Sequence, residues 1–131
     1  IKHEHGGLYA DSYEELLELI TEYDRDCFLG HMDKVHLIKG DVIETIPKFI
    51  SEHPHLLVSL LFLDMDIFEP TKIALQHFLP RMPKGAVVAF DELDNPMWPG
   101  ETLALLESIG VNKLSIRRFE WDPYISYAVL E

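Results

Sequence analysis

The stretch Leu56-Leu57-Val58-Ser59-Leu60-Leu61-Phe62-Leu63 is apolar at seven of its eight positions and closes on Asp64-Met65-Asp66. It is far short of the ~20 residues that span a bilayer, and it does not alternate. A strand without alternation is predicted to be buried on both faces, as in the middle of a parallel sheet. A second such run, Ala86-Val87-Val88-Ala89-Phe90, comes after a Pro83-Lys84-Gly85 turn and closes on Asp91-Glu92. Parallel neighbours need a crossover between them. Residues 69–81 supply one, with helical spacing and Pro70 in the first turn.

The rest of the chain repeats this alternation. Leu16, Leu17, Leu19 and Ile20 form an apolar stripe that predicts a helix over 13–23, capped by Asp11 or Ser12. Residues 35–38 read as a short strand ended by Gly40-Asp41. Ile43, Ile46, Phe49 and Ile50 predict a helix over 42–52, broken by His53-Pro54-His55. A helix over 99–109 stops at Gly110, and strands over 114–118 and 125–130 close the chain about Asp122-Pro123-Tyr124. The pattern is that of an α/β, Rossmann-like sheet with helices on both faces, mostly parallel and ending in an antiparallel strand. Without repeats, low-complexity tracts or a linker, residues 1–131 are expected to form a single domain.

Eleven Lys and Arg stand against 23 Asp and Glu, a formal charge of −12. That balance excludes a phosphate-neutralising nucleic-acid surface and an anionic membrane surface as partners. It suits Mg²⁺ or another hard cation. Cys27 is the sole cysteine, so neither a disulfide within the chain nor a cysteine-based zinc site is possible, in keeping with a reducing cytoplasm. No charged-then-apolar leader opens the chain.

Ligands of open parallel sheets bind beyond the carboxyl ends of the strands. Three predicted strands end there in acid, at Asp41, at Asp64 and Asp66, and at Asp91 and Glu92. One Asp after a strand is ordinarily a turn residue or a helix cap. Acids at every strand end, converging on one edge, point instead to a site that holds a cation between like charges. Asp-x-Asp has competing interpretations, as the metal pair of a nucleotide-sugar glycosyltransferase or the nucleophile motif of a haloacid-dehalogenase-type phosphatase. The latter expects Thr or Val where Phe68 stands. Trp98, in the loop after Asp91-Glu92, is either a substrate wall or a packing residue. His3-Glu4-His5 lies at the chain start, His53 and His55 flank a loop proline, and His31, His36 and His77 have no partner at ligand spacing. Ser59 reads as core.

Lys39-Gly40-Asp41, then Leu63-Asp64-Met65-Asp66-Ile67-Phe68-Glu69-Pro70-Thr71, then residues 83–92 occur in an order that resembles the macrocin O-methyltransferase-like family. The resemblance covers residues 6 to 131. It implies S-adenosylmethionine as cofactor and a divalent cation, Mg²⁺ first, assisting methyl transfer to a sugar or other natural-product hydroxyl. By position, Asp64, Asp91 and Glu92 resemble the metal ligands, Asp64 also standing as the base. Gly40 and Asp41 resemble the cofactor-binding turn and the acceptor for the adenine amino group. Asp66 is implied to orient the site from behind the ligands or to touch the sugar, and Trp98, from its place in the loop, stands as a substrate-binding residue beside it. The family's upstream glycine-rich turn has no counterpart, since no G-x-G occurs and the chain begins at Ile1. The chain therefore looks like the carboxy-terminal part of a methyltransferase domain that lacks the first strands of the full fold. Relatives commonly self-associate, which implies a homo-oligomer. Two readings stand beside this one: a metal-dependent glycosyltransferase-type enzyme built on Asp64-Met65-Asp66, and a catalytically silent α/β module.

Overall fold

The computed structural model describes residues 12–131, divided between Lys39 and Gly40 into two compact units. His3-Glu4-His5, Gly6-Gly7 and the cap residue Asp11 lie outside the described residues. In the first unit, α1 spans Tyr13–Asp26, three residues beyond the predicted end. Glu14 and Glu15 in its first turn and Arg25 in its last complement the helix dipole. The strand predicted over 35–38 does not form. A four-residue extended segment needs a ladder partner to persist as a strand, and these residues belong to no sheet.

The second unit begins with α2 (Val42–Glu52), whose bounds match the sequence reading. It continues through β1 (Leu60–Leu63), α3 (Phe68–Phe78), β2 (Val87–Phe90), α4 (Gly100–Ser108), β3 (Arg117–Arg118) and β4 (Ser126–Val129). Pro70 takes the third position of α3, where no intrahelical N–H is required. The sheet order is β1-β2-β4-β3. β1 and β2 are parallel, while β4 runs antiparallel to both β2 and β3.

Leu61, Leu63, Val88, Phe90 and Ala128 form one sheet face, and Ile46 of α2, Leu75 of α3 and Leu105 of α4 pack on it. The opposite face is different. Leu60 and Phe62 are 60% and 49% exposed, so β1 alternates rather than being buried on both sides. The run from 56 to 63 fails to do so because β1 is an edge strand whose helices of the same unit cover one face only. The strand predicted over 114–118 contracts to Arg117–Arg118, with Leu114 and Ile116 packing on the core outside any ladder. No helix among the described residues is long and apolar enough to cross a membrane.

Candidate active site at the carboxyl edge of the sheet

Because β1 and β2 are parallel, each delivers the residues after it to the same edge. Leu63 pairs with Phe90 at the last rung, and the Asp91 amide then donates to the Leu63 carbonyl at 2.9 Å. Asp64 and Asp91 are thus set side by side. Asp64 is exposed, while Asp66, Asp91 and Glu92 are half-buried. Burial raises the pKa of Asp66, and the Asp64 and Glu92 carboxylates add to it. Burial likewise raises Asp91, with further contributions from Asp64, Glu92, Asp66 and Asp122. These groups share one patch of negative potential, in which like charges disfavour ionisation.

Asp66 occupies a tight turn with φ 57°, where the Ile67 amide donates to the Met65 carbonyl at 2.5 Å. Asp adopts positive φ more readily than most residues, yet a γ-turn of this hand is strained. Two residues of α4 press against it. A Cβ at Gly100 would lie 2.3 Å from the Asp66 carbonyl oxygen, so only glycine lets the helix start here.

Glu101, next along, is 0% exposed. Its Oε1 accepts from the Met65 amide at 3.2 Å and its Oε2 from the Glu92 amide at 3.1 Å. One buried carboxylate therefore staples the loop after β1 to the loop after β2. Burial raises its pKa, opposed by the backbone N–H groups of Glu92, Met65 and Asp66. Sequence reasoning misses Glu101. In sequence it is one more acid in a helix's first turn, ordinarily a solvated complement to the dipole; its one distinguishing signal is the Gly immediately before it.

The loop after β2 is braced in turn. Asn95 is buried and donates through Nδ2 to Glu92 Oε2, while its Oδ1 accepts from the Met97 amide at 2.9 Å. The Asp94 amide donates to Thr102 Oγ1 at 2.8 Å. Trp98 is half-buried in this loop.

Asp41 is engaged locally. It is the N-cap of α2, accepting from the Ile43 amide through Oδ1 at 2.9 Å, and it is absent from the charges acting on Asp66 or Asp91. Of the strand-end acids, the four after β1 and β2 act on one another, and Asp41 is not among those charges. Gly40 before it has φ 143°, and a Cβ there would meet Thr45 Cγ2 at 2.8 Å. His53 is satisfied structurally, stacking on Phe49 at 4.2 Å with Nδ1 against the Phe49 carbonyl.

Clustered hard oxygen donors are the ligands a divalent cation takes. In donor chemistry Asp64, Asp91 and Glu92 fit such an ion. Their side chains do not close around one, however: among the described residues no three His, Cys, Asp or Glu form a group that holds a metal. Glu92 is turned to Asn95 instead.

No protein-family model matches the chain, and no curated protein does. Solved structures do. The apo structure of CalS11, a TDP-rhamnose 3'-O-methyltransferase of calicheamicin biosynthesis, is 37% identical, with a TM-score of 0.85 over 88% of this chain and 50% of that one. A second structure of CalS11, described as a calicheamicin methyltransferase, is 35% identical, with a TM-score of 0.88 over 94% of this chain and 48% of that one. The O-methyltransferase NovP matches at 21% identity and a TM-score of 0.67 over 90% of this chain and 44% of its own, a likeness of fold. The chain spans about half the length of these proteins. Its fold is part of a Rossmann-like methyltransferase sheet, parallel first and antiparallel last.

Proposed function

We propose that this chain is the carboxy-terminal part of the catalytic domain of an S-adenosylmethionine-dependent O-methyltransferase that acts on a sugar hydroxyl. The observation that carries the reading is the gathering of Asp64, Asp66, Asp91 and Glu92 at the carboxyl edge of a sheet shared with a sugar O-methyltransferase. Similarity to methyltransferases does not favour the glycosyltransferase interpretation of Asp64-Met65-Asp66.

S-adenosylmethionine, when bound, would supply an electrophilic methyl group, and a divalent cation such as Mg²⁺, which Asp64, Asp91 and Glu92 would hold, would lower the hydroxyl pKa. The remaining work belongs to side chains of this chain. Asp64, exposed beyond β1, takes the proton of the acceptor hydroxyl as methyl transfer proceeds. Asp66, fixed in its strained turn, and Trp98 contact the acceptor and orient that hydroxyl, and placement of this kind supplies much of the rate. Asp41 spends one oxygen on the α2 cap and presents the other to the adenine amino group, with Gly40 admitting the cofactor close to the backbone. A small-molecule sugar acceptor, self-association and a cytoplasmic setting complete the proposal.

The test is transfer of labelled methyl from S-adenosylmethionine to sugar acceptors, by the protein and by its Asp64→Asn variant. Transfer is expected to fall by two orders of magnitude or more, about the contribution of a positioned base, with the fold intact by circular dichroism. Undiminished transfer in the variant overturns the role of Asp64. Calorimetric titration with S-adenosylhomocysteine, with and without Mg²⁺, tests the cofactor assignment separately.

A further inference from the structure

The residues that join β3 to β4 lie at the same edge as the four acids. Ser126 pairs with Phe90 and with Arg118, and β4 runs against β2, so residues 119–125 project past the carboxyl end of β2. Arg118 anchors this hairpin to the loop after Asp91-Glu92. Its Nε donates to Ser126 Oγ at 3.2 Å, and its Nη2 donates to the Leu93 carbonyl at 3.2 Å and pairs with Asp94 at 3.4 Å.

On that base the aromatic side chains are stacked rather than buried. Phe119 and Trp121 have ring centroids 4.8 Å apart with planes 19° from parallel, and Phe119 leans on Tyr127 at 5.2 Å. Trp121 is nevertheless 73% exposed. An indole held by stacking yet open to solvent offers a large, rigid apolar surface at small entropic cost. Beside it, Asp122 accepts from the Tyr124 and Ile125 amides at 2.8 Å, both through Oδ1, which leaves Oδ2 outside the turn. Those two N–H groups hold its carboxyl below the usual carboxylate range, and its charge reaches Asp91.

We propose that Phe119, Trp121 and Asp122 form a docking platform for a pyranose ring, the acceptor subsite of the sugar-methylating reading above, on which it rests. A pyranose has an apolar face of C–H groups and a rim of hydroxyl donors. The face matches the indole and the rim matches Asp122 Oδ2. A nucleotide's base also stacks on indole, but its phosphates would meet the negative patch of Asp64, Asp66, Asp91 and Glu92; the adenine of S-adenosylmethionine, which carries no phosphate, is assigned to Asp41, so the ring that docks here is the sugar.

Trp98 and Trp121 are the chain's two tryptophans, so the emission that the parent shows and its Trp121→Phe variant lacks is that of Trp121. Titration with a methyl hexopyranoside is expected to change that emission saturably. Phe119→Ala and Asp122→Asn are each expected to weaken the response about three- to tenfold, the size of one aromatic or hydrogen-bonded contact. Asparagine retains an oxygen for the Tyr124 and Ile125 amides, so the turn survives that change. An acyclic hexitol, with hydroxyls but no ring face, should give no saturable change. The platform is overturned by the absence of a saturable pyranoside response, by an equal response to the hexitol, or by full affinity in both variants. Binding of S-adenosylhomocysteine is measured in parallel. A pyranoside response without cofactor binding keeps the platform and removes the cofactor pocket from this chain, the methyltransferase reading then resting on the labelled-methyl assay; cofactor binding with no response at Trp121 removes the platform and keeps that reading.

Discussion

Replacing Gly100 with alanine adds one methyl group at the tightest contact behind the acidic edge. That Cβ would lie 2.3 Å from the Asp66 carbonyl oxygen and 2.5 Å from both C and Cα of Ile67. All three are backbone atoms, so no side chain can rotate aside. Real Cβ atoms essentially never approach closer than 3.0 Å, so α4 and the Asp66 turn must part by about 0.7 Å at the closest pair. Overpacking of this kind costs ~1–3 kcal/mol, and the upper half of that range applies because two main chains must move together. Alanine recovers little in return, since the first helical residue gains least from helix propensity. For a unit of this size each kcal/mol is worth roughly 4–8 °C of melting temperature, so Gly100→Ala is expected to melt about 8–24 °C lower. The same parting stretches the bonds from the Met65 and Glu92 amides to Glu101. Thermal melting monitored by circular dichroism measures the effect. A variant that melts within about 2 °C of the parent refutes the close approach of α4 to the Asp66 turn.

Glu101→Gln keeps the size of the staple but turns an –NH₂ toward a buried backbone N–H. The expected loss is ~1–3 kcal/mol, read from the urea midpoint, and an unchanged midpoint contradicts the staple. Asp66, Asp91 and Glu101 all have raised pKa values in the fold, so the folded chain retains protons that the unfolded chain has released. Their contribution to stability is therefore full below the ordinary carboxylate pKa of ~4 and declines as pH rises through the raised values. Asp122, with a lowered pKa, acts in the opposite sense, so the comparison is with Asp91→Asn. That variant should flatten the decline across weakly acidic to neutral pH, and a decline as steep as the parent's counts against the cluster. Millimolar Mg²⁺ is expected to raise the melting temperature at neutral pH by binding the folded form, and to do so less in Asp64→Asn; equal shifts in both proteins remove Asp64 from the cation site.

Much of this molecule is legible along the chain. The 42–52 helix is encoded locally: Asp41 caps it, Ile46 and Ile50 turn inward, and His53-Pro54 ends it. The acids at the ends of the 60–63 and 87–90 strands are equally legible, because parallel neighbours bring their carboxyl ends, and the loops leaving them, to one edge. The 35–38 segment shows where such reading stops. Val35, Leu37 and Ile38 have strand composition, but a ladder depends on a partner that no local pattern supplies. Leu60 and Phe62 fail in the same way, because burial of a strand face is decided by what else packs there. Asp41 shows that an acid in the expected place can be spent, at least in part, on capping a helix.

The sequence by itself determined the helices and the strands of the 60–63, 87–90 and 126–129 segments, the single-edge gathering of Asp64, Asp66, Asp91 and Glu92, and the negative potential they create, since periodicity, turn residues and charge are properties of adjacent residues. Tertiary structure alone decided three things: that Glu101 ties the two acidic loops together, that Gly100 admits the strained Asp66 turn, and that Phe119, Trp121 and Asp122 stand at the same edge. Each depends on residues brought together by the crossover from β1 to β2 and by the antiparallel return of β4. Hydrogen bonds and contacts across such distances are set by the packing of whole elements, which no local pattern encodes.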